Sequence, residues 1–159
     1  MALNDDIVRS VSAALERCRE AIRATMAAEG VDASGRTSDS LRVVQRTDGF
    51  DLVGGGEGAA PIPTLEVGRG GGAVPVGFYY IIKQWTRDKG LQFGSETQRG
   101  TFAYFAAQKI AREGTQRHKS PKDIYSTHAR NTAEEIRGMV VEQIGQAVLG
   151  EVVHAFNNN

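Results

Sequence analysis

Apolar residues recur every three or four positions along the first part of the chain: Ile7, Val8, Val11, Leu15, Cys18, Ile22 and Met26, with Arg and Glu filling the other positions. That period predicts an amphipathic helix over Asp5 to Glu29. Asn4 suits the N-cap, Asp5 and Asp6 suit the positive end of the helix, and Gly30 suits its C-terminal cap. Val31 to Asp39 follows as a polar linker. Leu41 to Arg46 and Phe50 to Val53 then flank Thr47-Asp48-Gly49. Asp-Gly between β-prone runs predicts a hairpin. Gly54 to Pro63 holds four glycines and two prolines and reads as a flexible loop. Thr64 to Val67 alternates, with Leu65 and Val67 on one face and Glu66 on the other, which predicts a third short strand.

A second glycine run, Gly68 to Gly72, precedes Pro75, a residue suited to the start of a helix. Phe78, Ile81, Ile82 and Trp85 form one stripe of a helix over Gly77 to Lys89, which Gly90 ends. The spacing favours a buried stripe over a base-stacking surface, leaving Tyr79 and Lys83 as surface candidates on the other flank. Ser95-Glu96-Thr97-Gln98 is a capping-box sequence opening a helix through Phe102, Phe105, Ala106, Lys109 and Ile110 to Gly114. Thr115 to Thr127 is polar and basic and reads as an exposed loop with a short turn around Asp123 to Tyr125. A last helix is expected from Asn131 to Phe156, its apolar side made by Ile136, Met139, Val140, Gln143, Ile144, Ala147, Val148, Val152 and Phe156. Gly138, Gly145 and Gly150 interrupt it, so it must be held by packing, a neighbouring subunit included. The elements predict one α+β domain over residues 1–156. It comprises a long N-terminal helix, a small antiparallel sheet with a β-hairpin, then three helices packed on it, with a disordered tail at 157–159.

With 159 residues and 40% hydrophobic content the chain can bury a core without staples. Its 19 basic and 19 acidic side chains balance, so overall charge makes no case for nucleic acid. The distribution is uneven. Residues 1–66 carry a net −4, residues 67–98 +2, residues 99–130 +5 and residues 131–159 −3. Such segregation suits copies that dock head to tail, or else ion pairing within one solvated surface. The single Cys18 excludes an intrachain disulfide and falls on the apolar face of the first helix. No signal-peptide pattern or membrane-length apolar run is present, so synthesis in a cytoplasm and no membrane partner are expected.

The sequence offers little chemistry. His118, His128 and His154 lack ligand spacing, so no metal site is expected. Gly54-Gly55-Gly56-Glu57-Gly58 and Gly68-Arg69-Gly70-Gly71-Gly72 lack the Lys-Ser or Lys-Thr ending of a phosphate loop and read as flexible turns. No G-x-S-x-G elbow occurs. Asp88, beside Arg87 and Lys89, reads as a surface ion-pair member. No catalytic residue or cofactor is expected, and no enzyme activity. The segment holding Arg112, Arg117, His118, Lys119 and Lys122 suits contact with DNA phosphates, or with an acidic patch on a neighbour.

One stretch carries a resemblance. Glu66, Gly68, Arg69, Gly72 and Pro75 are followed by Trp85, Lys89 and Gly90, and then by Phe102, Ala103, Phe105, Ala106, Ile110 and Gly114. Over about residues 64–115 this pattern, and outside it the order of elements, resembles the neck and tail-completion proteins of tailed bacteriophages. The chain departs from that pattern at Ala73-Val74-Pro75 and Ser120-Pro121-Lys122, which leaves open which neck ring it would form. The resemblance implies a virion protein that forms a ring of six or twelve copies at the head–tail junction. Its partners would be the portal or connector and tail proteins, with non-specific contact to DNA in the lumen. It further implies subunit or ring contacts at Glu66, Arg69, Gly70, Gly72, Tyr79 and Lys83, with Glu66 and Arg69 exposed at a strand end. Trp85 would anchor its helix to the sheet. The alternative is a DNA-binding accessory module using the basic loop 112–122.

Overall fold

The computed structural model describes residues 2–55, 62–115 and 121–157. The fold is α+β: a long N-terminal helix, a two-stranded antiparallel hairpin and further helices, 66% helical in all. In chain order the elements are α1 (Ala2–Ala28), α2 (Arg36–Asp39), β1 (Arg42–Arg46), β2 (Gly49–Val53), α3 (Ile62–Val67), α4 (Phe78–Asp88), α5 (Glu96–Glu113) and α6 (Ser126–Asn157). They group into two compact units, the first made of residues 1–24, 41–53 and 125–159 and the second of residues 25–40 and 54–124.

In the first unit, α1 buries Cys18 and Ile22 of the predicted stripe, together with Ala14, which the stripe did not include. Helix α1 starts at Ala2, so Asn4 lies inside its first turn and is not the N-cap. The hairpin pairs Arg42 with Val53 through Arg46 with Gly49, leaving Thr47-Asp48 as its loop. Neither loop residue has a positive φ, and Gly49 belongs to β2, so Asp-Gly locates the turn without forming its mirror-image type. Helix α6 begins five residues before the predicted Asn131, its first turn closed by the Ala129 amide on the Tyr125 carbonyl at 2.8 Å. It also includes Asn157, which was expected in a disordered tail, while Asn158 and Asn159 lie outside the described residues. Thr132 is buried on α6, and Arg17 of α1 pairs with Glu135.

The second unit holds the main corrections. The predicted linker Val31 to Asp39 contains a helical turn, α2. The predicted third strand at Thr64 to Val67 is a helix, and four helices follow the hairpin among the described residues. Pro63 can occupy the first turn of a helix, where no N–H is required, and the Gly68 amide closes α3 on the Thr64 carbonyl at 2.8 Å. Four residues were too few for periodicity to separate strand from helix. Helices α1 and α4 end alike. Val31 donates to Met26 and Gly30 to Ala27; Leu91 donates to Thr86 and Gly90 to Arg87. This paired closure needs a left-handed residue, and Gly30 and Gly90 have φ of 60° and 66°. The Lys89 ammonium reaches the carbonyls of Gly30 and Asp32, joining the two helix ends.

Ser95 caps helix α5, its hydroxyl accepting from the Gln98 amide at 3.2 Å. Its buried residues are Ala103 and Ala107. Large residues stand on the other side: Phe102, Tyr104 and Phe105 are exposed. Helices α4 and α5 pack on each other, and the approach is close. A Cβ added at Gly100 would lie 2.9 Å from the Tyr79 hydroxyl. Small side chains therefore face the chain and large ones face out.

Candidate functional site

The glycine run is a docked loop, not the flexible turn expected from its composition. The Gly72 amide donates to the Ala111 carbonyl at 2.7 Å and the Thr115 amide to the Arg69 carbonyl at 2.9 Å. The Arg69 amide donates in turn to the Thr115 hydroxyl at 3.0 Å. The first of these satisfies the Ala111 carbonyl, one of those that the end of α5 leaves without a helical partner. The fit tolerates no side chain. A Cβ at Gly71 would lie 2.4 Å from the Arg112 carbonyl oxygen, and one at Gly114 2.3 Å from that of Arg69. Of the other glycine run, residues 56–58 lie outside the described residues; the Gly55 amide donates to the Ser40 hydroxyl at 2.9 Å.

Glu66 and Arg69, expected to be exposed at a strand end, are engaged inside the unit. Glu66 is 9% exposed. Its carboxylate accepts from the Ile124 amide at 3.2 Å, and its backbone carbonyl accepts from the Lys122 amide at 3.1 Å. The Arg69 guanidinium folds back onto its own loop, donating to the Ala73 carbonyl and lying 5.8 Å from the centre of the Phe78 ring. Gly70 lies against Gly114, and Gly72 is an exposed position whose amide is spent on Ala111. The loop thus braces α5.

Tyr79 and Lys83 lie on the α4 side that meets α5. Tyr79 is half-buried, and the Lys83 ammonium sits 3.2 Å from Glu96. Arg87 and Arg99 reach the same carboxylate at 2.8 and 3.0 Å. Hydrogen bonds from Lys83 and then Arg87 hold the Glu96 carboxyl below its ordinary pKa. Arg99 also donates to the Thr86 hydroxyl at 3.0 Å and stands 4.8 Å over the Phe93 ring. Asp88 pairs with Arg36 at 3.2 Å, as the surface ion-pair reading expected, though with a different cation.

Trp85 does not fill a core stripe. It is 40% exposed, and Ile81 is exposed beside it. The inward positions of α4 are Phe78, Ile82 and Thr86, spaced four apart, with Thr86 fully buried. Neighbours on a stripe must be three or four residues apart, and the helix buries the row one position on from Trp85. Of the basic segment, Arg117 and Lys119 lie outside the described residues. Arg112 pairs with Glu113, and Lys122 with Glu29.

Two outward surfaces escaped the sequence reading. Along α5, Ser95, Gln98, Thr101, Phe102, Phe105 and Lys109 line a shallow, mainly apolar groove. On α6 the apolar residues do not form one side. Ile136, Met139, Val140, Gln143 and Ala147 are half-buried, whereas Val141, Ile144, Val148, Leu149, Val152, Val153 and Phe156 are exposed. The signal was available: the apolar positions of α6 are too many for one stripe. Among the described residues no group of three or more His, Cys, Asp or Glu side chains could hold a metal ion, and no helix is long and apolar enough to cross a membrane. Comparison with known proteins finds no family model, curated protein or solved structure that matches the chain.

Proposed function

We propose that the chain is a structural virion protein that forms a ring at the phage head–tail junction, joining the portal or connector to the tail and helping to retain packaged DNA. The observation that carries this reading is the outward display of large apolar side chains on α5 and α6, from Phe105 to Phe156. Helices that each turn several large apolar side chains outward are built to be covered. The pattern from Glu66 to Gly114 gives the kind of assembly, by its resemblance to neck and tail-completion proteins. In this reading the docked glycine loop and the cations around Glu96 stiffen the subunit, and the contacts between subunits fall on the apolar faces.

Native mass spectrometry tests the proposal, on the purified chain alone and mixed with the portal and tail proteins encoded beside its gene. A closed ring of six or twelve copies, or capture by either partner, is expected. A chain that stays monomeric and binds neither refutes it. The DNA-binding alternative draws on residues 112–122, where Lys122 already faces Glu29. DNA affinity of the isolated chain that falls steeply with salt would revive it.

A further inference from the structure

Helix α6 carries two apolar stripes on opposite sides. Thr132, Ile136, Met139, Val140, Gln143 and Ala147 mark the inner one. At 3.6 residues per turn, Val141, Ile144, Val148, Val152 and Phe156 fall on the far side, with Val148 55% and Phe156 80% exposed. A helix apolar on both sides is one that is buried on both sides. Gly138 and Gly145 share the far side, with nothing within 4 Å of a Cβ built on either, so a second helix can approach closely there. Glu142 and Glu151 rim this stripe, in a segment that carries a net −3.

The outer face of α5 is its counterpart. Phe105, 62% exposed, stands beside Phe102, and Lys109 and Arg112 continue the same side one and two turns on. From Gln98 to Arg112 this face runs about 21 Å, and from Val141 to Phe156 the α6 stripe runs about 23 Å. We propose that the outer stripe of α6 from one copy of the chain lies along the outer face of α5 of the next, with Lys109 and Arg112 against Glu142 and Glu151. Charge selects this pairing. Joining α6 to α6 would bring glutamate rims together, and joining α5 to α5 would oppose two basic edges. The contact uses two different faces, so it propagates from copy to copy and makes a ring when the rotation between copies closes. This inference rests on the ring reading and names the interface that builds it.

The two faces can be blocked one at a time. Phe105→Asp disables α5 and Val148→Asp disables α6, each at an exposed position; Lys109→Glu and Val152→Asp are second variants on the same faces. Far-UV circular dichroism confirms folding, and native mass spectrometry with analytical ultracentrifugation over a range of concentrations gives the state of assembly. Each variant alone is expected to be monomeric where the unaltered chain forms rings. An equimolar mixture of Phe105→Asp and Val148→Asp keeps one intact interface and is expected to yield dimers of one copy each, and nothing larger. A mixture that stays monomeric overturns the interface. So does a ring that survives either substitution, although the ring reading then stands. An unaltered chain that never assembles, alone or with portal and tail proteins, overturns both.

Discussion

Replacing Gly71 by alanine tests whether the glycine run is a brace or a flexible turn. The new Cβ would meet the Arg112 carbonyl oxygen at 2.4 Å, about 1 Å inside the shortest favourable carbon–oxygen approach of roughly 3.3 Å. The obstacle is backbone, so no side-chain rotation relieves it. The loop must withdraw from α5, and the Gly72–Ala111 and Thr115–Arg69 bonds, at 2.7 and 2.9 Å, must lengthen or break. At about 1 kcal/mol net per hydrogen bond the loss is about 2 kcal/mol. The alanine returns about 0.4–1 kcal/mol by restricting the unfolded chain, because Gly71 does not require a positive φ. A net destabilisation of about 1–2 kcal/mol is expected in urea denaturation followed by circular dichroism. Amide hydrogen exchange at Gly72 and Thr115 should accelerate more than exchange within α1. Gly49→Ala is the control: it needs no positive φ, has open space around the new atom, and should stabilise by about 0.4–1 kcal/mol. If Gly71→Ala leaves both stability and local exchange unchanged, the loop is not docked and the argument fails.

Other expectations follow from single contacts. Glu66→Ala removes the acceptor of the buried Ile124 amide and should cost about 1–3 kcal/mol, measured as a fall in the urea midpoint. Among the described residues no donor reaches the buried side-chain oxygen of Gln143; Gln143→Met should therefore raise the melting temperature, by an amount equivalent to about 1 kcal/mol. The Glu96 carboxyl is held low by Lys83 and Arg87, so its contribution is fully present above the unfolded pKa and disappears as pH falls through the lower folded value. Stability curves of the unaltered chain and Glu96→Gln should differ at neutral pH, converge in acid and draw together in high salt. A difference that persists in acid would contradict the assignment.

What the residues made legible was local. The α1 stripe from Ile7 to Met26, the Ser95 cap and the glycines after α1 and α4 each depend on neighbours within a few positions. Leu65-Glu66-Val67 did not contain enough residues to separate strand from helix. The docking of Gly68 to Gly72 is set by Ala111 to Thr115, some forty residues later, and composition carries no trace of it. In α5 two stripes competed, one through Phe102, Phe105 and Lys109, the other through Ala103, Ala107 and Ile110. The close approach of α4 to α5 decided between them, because only the alanine side leaves room. The same logic misplaced Trp85. Hydrophobicity alone put it inside, whereas the structure turns Thr86 inward and satisfies its hydroxyl with Arg99 and the Lys83 carbonyl.

Ala147 is the last position of α6 that is even half-buried among the described side chains. Beyond it, every described side chain from Val148 to Phe156 is exposed, with Gly150 among these positions. An isolated helix shorter than about 12–15 residues is marginal in water. If copies of the chain associate through this face, as proposed, the order of this segment is linked by mass action to subunit concentration. In dilute solution its amides should exchange freely, and crowding subunits together should protect them before any global property changes. In such an assembly part of the free energy of association would be spent on ordering this helix end, so early contacts would stay weak and reversible, and misplaced subunits could leave before the structure closes.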